Sequence, residues 1–236
     1  MMILLHEQME NDEAEFLKGV IEGVYKIPVR VSDYNLDPFF EKISATGEFY
    51  CNDPNLNGQL AKQFQGKAVF LLTRRDIFVC NMLAPFSKAD QWAFGGTSES
   101  GPYHTVSIGR LMGQTSTAAS SLSIDRDRYL RRLELLAIHE LGHNIVHNQG
   151  HYKKAHYVNA TTGERVCLGR HCDVNTCVMY EVIELRTPPC DQEYLELDGE
   201  RRCDAGLNEH LDRVNVDWFC VNCKDKLHLN IPPEYR

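Results

Sequence analysis

Apolar and polar positions along the chain change period several times, and each change suggests an element. In residues 130–146, Leu130, Leu133, Leu136, Ile138, Leu141 and Ile145 leave little polar surface after a charged start. That pattern predicts a helix buried on several sides. Ser123 suits its N-cap, Asp125 and Asp127 its first turn, and Gly150 the position just past its end. Residues 1–19 read as an acidic amphipathic helix anchored by Phe16, Leu17 and Val20. Residues 24–31 read as a strand with an irregular point at Pro28, which suits a sheet edge. Residues 56–64 suit a helix. Residues 67–73 form a continuous apolar run of strand length, expected at the centre of a sheet, and residues 77–81 a further strand. Residues 103–108 alternate polar and apolar, predicting a strand with one outward face. Residues 111–122 read as a link. Residues 155–168 predict a β-hairpin around Thr161-Thr162-Gly163. No strong period runs through residues 181–210, which read as an insertion.

Composition narrows the class. The chain has 236 residues, enough for a full core, and the expectation is one domain over 1–236 with insertions at about 151–170 and 181–210. A net charge of −8 argues against a surface that tracks phosphates, so nucleic acid is not an expected partner. The start, MMILLHEQMENDEAE, lacks a basic region and a long apolar run, and no stretch approaches the roughly 20 apolar residues of a membrane span. A cytoplasmic monomer without a membrane partner is expected. Nine cysteines without an export signal read as thiols and metal ligands rather than a disulfide framework.

The candidate chemistry lies on the long helix. His139-Glu140-Leu141-Gly142-His143 is an HExxH motif. Positions i and i+4 share a helix face, so both imidazoles can reach one Zn²⁺ while Glu140 sits beside it as a candidate general base. His147 lies eight residues past His139, a rise of about 12 Å, too far to close on the same ion. The third ligand must follow the helix, with His151, His156 and His171 as candidates. A second constellation pairs Cys172-x₄-Cys177 with Cys220-x₂-Cys223, the layout of a structural Cys₄ zinc site. Cys190 and Cys203 lie between the pairs and could substitute as ligands; Cys51, Cys80 and Cys167 read as core or incidental thiols.

Together these motifs resemble the archaemetzincins, a family within the metzincin clan of zinc peptidases. The resemblance is carried by HELGH at 139–143, by Gly169-Arg170-His171-Cys172, by Cys172-x₄-Cys177-Val178-Met179 and by Phe219-Cys220-Val221-Asn222-Cys223. Phe94-Gly95-Gly96, residues 106–111 and Leu211-Asp212-Arg213 add to it, so that it covers roughly residues 67–227. It implies a zincin-like α+β fold: a mixed twisted sheet, an active-site helix and a C-terminal Cys-rich zinc subdomain. It further implies two zinc ions per chain. The catalytic one would be held by His139, His143 and His171, with Glu140 as base and Met179 as the Met-turn. The structural one would be held by Cys172, Cys177, Cys220 and Cys223. The substrate implied is a peptide or protein, received in extended form along the strand at residues 103–108. This chain departs from the family spacing, since 27 residues separate His143 from His171 and 42 separate Cys177 from Cys220. A reading of another class is a non-catalytic, zinc-containing peptide-binding module.

Overall fold

The computed structural model describes residues 1–7, 11–42, 49–51, 55–78, 92–97, 101–111, 125–146, 151–182, 188–227 and 231–236. The chain divides into two compact units, one of Met1–Asn144 with Ile231–Arg236 and one of Ile145–Asn230. The first opens with β1 (Met2–His6), α1 (Asn11–Tyr25), β2 (Val29–Asp33), β3 (Glu41–Lys42), β4 (Phe49–Cys51), α2 (Asn55–Gln63) and β5 (Val69–Thr73). It continues with β6 (Asp76–Phe78), β7 (Trp92–Ala93), β8 (Gly95–Thr97), β9 (Tyr103–Ser107), α3 (Ile108–Leu111) and α4 (Arg126–Ile145).

Its main sheet has the order β2-β1-β5-β9-β8. The first four strands run parallel, and β8 pairs antiparallel with β9. As the apolar run predicted, β5 is central and buried throughout. β2 lies at one edge and starts directly after Pro28, which has no N–H to give a ladder. A smaller sheet has the order β3-β4-β6-β7.

Two expectations are corrected here. Residues 1–19 are not one helix. Met2, Leu4 and Leu5 form a short apolar run that fits a buried strand, and helix begins only at Asn11. From there Ala14, Leu17, Ile21 and Tyr25 give α1 its buried stripe at helical spacing. The strand at 103–107 has no outward face and is not an edge: it lies between β5 and β8, and all five residues are buried. Its polar members are hydrogen-bonded internally, as Ser107 Oγ is to the Arg75 carbonyl at 2.6 Å, so alternation here records buried polar groups rather than solvent.

The second unit holds β10 (Tyr152–Asn159), β11 (Arg165–Cys172), β12 (Glu193–Leu197), β13 (Glu200–Arg202), α5 (Leu207–Arg213) and α6 (Val221–Lys224). The expected hairpin is present as β10 and β11. Its turn is closed by Asn159 Oδ1, which accepts the N–H groups of Thr161 and Thr162 at 3.0 and 2.9 Å, and by Gly163 at φ +73°. The aperiodic stretch at 181–210 also contains strands. β12 pairs with β10, so both segments read as insertions build one antiparallel sheet, β11-β10-β12-β13. Cys190 and Cys203, expected as thiols, are joined by a disulfide that clasps the β12–β13 hairpin at its base. Two half-cystines flanking a short hairpin are brought together by strand pairing, which spacing alone does not reveal. No helix among the described residues is long and apolar enough to cross a membrane.

Candidate functional site

α4 carries the HExxH motif, and three contacts in its own unit fix it. Asp125 Oδ1 accepts the Asp127 N–H at 3.1 Å, a cap for the first turn. The buried Arg132 guanidinium donates to the Leu111 carbonyl at 3.0 Å. The Tyr25 hydroxyl, from α1, donates to the Ile138 carbonyl at 2.5 Å, one residue before the motif. The helix ends at Ile145, earlier than Gly150; Ser123, His147 and Gly150 lie outside the described residues.

His139 and His143 meet on one face, their Nε2 atoms 3.1 Å apart. Two nitrogens each about 2.0–2.1 Å from one tetrahedral ion stand roughly 3.3 Å apart, so the pair fits zinc. Glu140 is buried beside the sheet edge. Thr97 Oγ1, on β8, lies 2.8 Å from Glu140 Oε2, 2.7 Å from the Glu140 carbonyl and 3.0 Å from His104 Nδ1. His104 Nε2 lies 2.6 Å from the Tyr235 hydroxyl, which also accepts from Asn144 Nδ2 at 3.4 Å. Burial pushes the His104 imidazole down to about 3, against a smaller opposing hydrogen bond to the Glu140 backbone, so the ring is neutral at physiological pH. A neutral ring donates from one nitrogen only. Tyr235 O–H has one proton to give and gives it to Nε2; Nδ1–H then faces Thr97 and the Glu140 carbonyl, leaving the Thr97 proton for the Glu140 carboxylate. Gly95 completes the setting, because a Cβ there would lie 2.7 Å from Glu140 Oε1. The motif announced His139, Glu140 and His143. Thr97, His104 and Tyr235 carry no motif: the pairing of β8 with β9 sets Thr97 opposite His104, and Tyr235 reaches His104 from residues 231–236.

In the second unit, β11 ends at Cys172 and the chain turns back at once. The Cys177 N–H donates to the Val174 carbonyl and the Cys172 N–H to the Met179 carbonyl, both at 2.9 Å. Met179, whose carbonyl closes this turn, is fully buried. Cys220 stands at the N-cap of α6 and Cys223 within it, so one short helical turn aims both thiols the same way. Cys172 Sγ and Cys220 Sγ are 3.8 Å apart. Cys177 Sγ accepts the Cys220 N–H at 3.3 Å. Hydrogen bonds with Cys172 and Cys223 push the Cys177 thiol down, while bonds with Cys177 and Cys223, and burial, push Cys172 up. The four expected cysteines therefore cluster, and such a set fits zinc through thiolate donors.

His151 joins them. Its Nε2 lies 2.8 Å from Cys172 Sγ and 3.4 Å from Cys220 Sγ. The sequence gives no spacing signal for this; it follows from the β10–β11 register, which sets Tyr152 opposite Cys172. His156 lies on β10 with Nδ1 3.8 Å from Glu196 Oε1. His171, directly before Cys172, is buried and paired with Glu181.

A twisted mixed sheet beside an HExxH helix, with a separate Cys-rich zinc-type cluster, defines the α+β zincin-like class. No family profile matches the sequence, and no curated protein matches it. Solved structures do. A zinc-dependent peptidase from Methanocorpusculum labreanum aligns over 96% of this chain and 100% of its own, at 17% identity and TM-score 0.55. The archaemetzincin of Archaeoglobus fulgidus, complexed with malonate, aligns over 96% and 99%, at 18% identity and TM-score 0.51. That of Methanopyrus kandleri aligns over 96% and 93%, at 18% and 0.51. The fold is that of the archaemetzincins.

Proposed function

We propose that the chain is a zinc metallopeptidase that hydrolyses peptide or protein substrates, with Glu140 as general base and His139, His143 and His171 as the ligands of the catalytic ion. The observation that carries this reading is the placing of Glu140. A buried carboxylate next to two histidines is costly unless it is held for use. Here Thr97, itself hydrogen-bonded to neutral His104, donates to one carboxylate oxygen and holds the group in place. His171 is the third ligand because its backbone is anchored through Cys172, which limits the ordering cost of metal binding.

When bound, zinc supplies Lewis-acid polarisation of the attacking water and the scissile carbonyl. Glu140 takes the proton of that water and passes it to the departing amine. The Thr97 hydroxyl keeps the Glu140 carboxylate in place during both transfers. β8, at the edge of the main sheet among the described residues and beside Glu140, is the strand along which an extended peptide can pair. A second zinc, at the cysteine cluster between the end of β11 and α6, is structural. A solved structure of the same fold, named a zinc-dependent peptidase, supports the reading.

Glu140→Gln tests it. The variant is expected to retain fold and zinc while peptide hydrolysis falls by on the order of 10²–10⁴, the usual worth of a general base. Absence of cleavage by the unaltered chain across a broad peptide library, with zinc bound, would point instead to a peptide-binding module.

A further inference from the structure

The thiol cluster has one donor more than a tetrahedral ion needs. His151 Nε2 and the sulfurs of Cys172, Cys220 and Cys223 all lie within 4.8 Å of one another, a set of four that leaves out Cys177. We propose that His151 is a zinc ligand, so that the ion of this unit is bound by one nitrogen and by the sulfurs of Cys172, Cys220 and Cys223. The inference rests on the reading that this cluster binds zinc and names its donors.

The distances suit that assignment. Two sulfurs each about 2.3 Å from one tetrahedral ion stand roughly 3.8 Å apart, and a nitrogen at about 2.0 Å stands roughly 3.5 Å from each sulfur. The observed values are 3.8 Å for Cys172 to Cys220 and 3.4 Å for His151 to Cys220. His151 Nε2 is closer to Cys172, at 2.8 Å, a separation that opens when an ion comes between them. The other face of the ring supports the same role. Ligating imidazoles usually present their second nitrogen to a carboxylate or carbonyl, which sets the tautomer, and His151 Nδ1 faces Asp173 Oδ1 at 3.7 Å. Asp173 adjoins Cys172, so a single turn supplies both a sulfur and the carboxylate that steadies the imidazole. Cys177 then has a different task. Its sulfur accepts the Cys220 N–H and pairs with Cys172 and Cys223, bracing the two halves of the cluster from outside the ligand set.

Charge favours the exchange. Four thiolates around a divalent ion leave a net −2 in a buried site, whereas three thiolates and a neutral imidazole leave −1, with less desolvation to offset.

The test is zinc K-edge absorption on the full chain carrying His139→Ala and His143→Ala, loaded with one equivalent of zinc so that only the thiol cluster is read. The expected first shell is three sulfurs and one nitrogen; four sulfurs would overturn the inference while leaving zinc binding intact. A chain that binds no zinc would overturn both the inference and the structural-zinc reading beneath it. Competition with a chelator gives an independent readout. His151→Ala is expected to weaken zinc at least tenfold and Cys177→Ser to leave it within about threefold. Unchanged affinity in His151→Ala would refute the assignment.

Discussion

Gly95→Ala places one methyl group between β8 and the Glu140 carboxylate. The new Cβ would stand 2.7 Å from Glu140 Oε1 and 2.9 Å from the Thr105 carbonyl oxygen. Carbon–oxygen contacts settle at roughly 3.3 Å or more, so the two oxygens must withdraw by about 0.6 and 0.4 Å. The Thr105 carbonyl belongs to the β8–β9 ladder, where Gly96 pairs with Thr105, and cannot move freely. The carboxylate is held by Thr97 and takes most of the shift. Overpacking of this kind costs about 1–3 kcal/mol of stability. A catalytic group moved by a substantial fraction of an ångström loses on the order of tenfold to a hundredfold in rate. The assay is kcat/KM for hydrolysis of a fluorogenic peptide at fixed zinc, beside a urea unfolding curve. Because His139 and His143 are untouched, zinc affinity should hold and the loss should fall on kcat. A variant with unaltered kcat and unaltered stability would show that β8 does not press on Glu140, and the positioning argument would fail with it.

Three further outcomes are expected. The buried neutral His104, pushed down to about 3, is protonated more readily unfolded than folded, so the unfolded state binds the extra proton between its ordinary value and about 3. Stability should therefore fall as pH drops below about 6.5, by about 1.4 kcal/mol per unit from this group, and His104→Gln should flatten the slope in urea midpoints at pH 6.5 and 5.0. Gly19→Ala, in α1 with open space around its new Cβ, should stabilise by about 0.5–1 kcal/mol in the same assay, since it removes only a helix penalty. Dialysis against a mild chelator should lower zinc from two equivalents to one with the fold kept, and His171→Ala should start at one; a single equivalent in the freshly prepared, unaltered chain would contradict a separate structural ion.

The legible parts of this chain are those whose chemistry is local. β5 could be read because a strand covered on both faces has to be apolar throughout, and the β10–β11 hairpin because its turn residues announce it. His139, Glu140 and His143 follow from helical period alone. The less legible parts depend on pairing between distant segments. His104, Thr105 and Ser107 look like a solvent-facing alternation, yet each is buried, and nothing near them in sequence indicates that Tyr235, Thr97 or the Arg75 carbonyl will meet them. Likewise β1 was hidden by the acidic run after it, and the strands β12 and β13 by their charges, since one of their faces is polar. The cysteine pairs were clear from spacing; the arrival of His151 among them required the register.

Tyr235 gives the first unit an order of assembly as well as a hydrogen bond. Residues 231–236 belong with residues 1–144, so that unit is interrupted in sequence by residues 145–230. On the ribosome, α4 and the sheet emerge first, and the hydroxyl that fixes the His104 tautomer follows about 90 residues later. At ordinary translation speeds of about 5–20 residues per second that interval is roughly 5–20 s. Throughout it, β5 lacks the Glu234 carbonyl that accepts from the Ala68 N–H beside its first residue, and His104 lacks its acceptor-side partner. The nascent unit thus waits with its proton-handling network incomplete, and Glu140 gains its final setting only when the tail arrives.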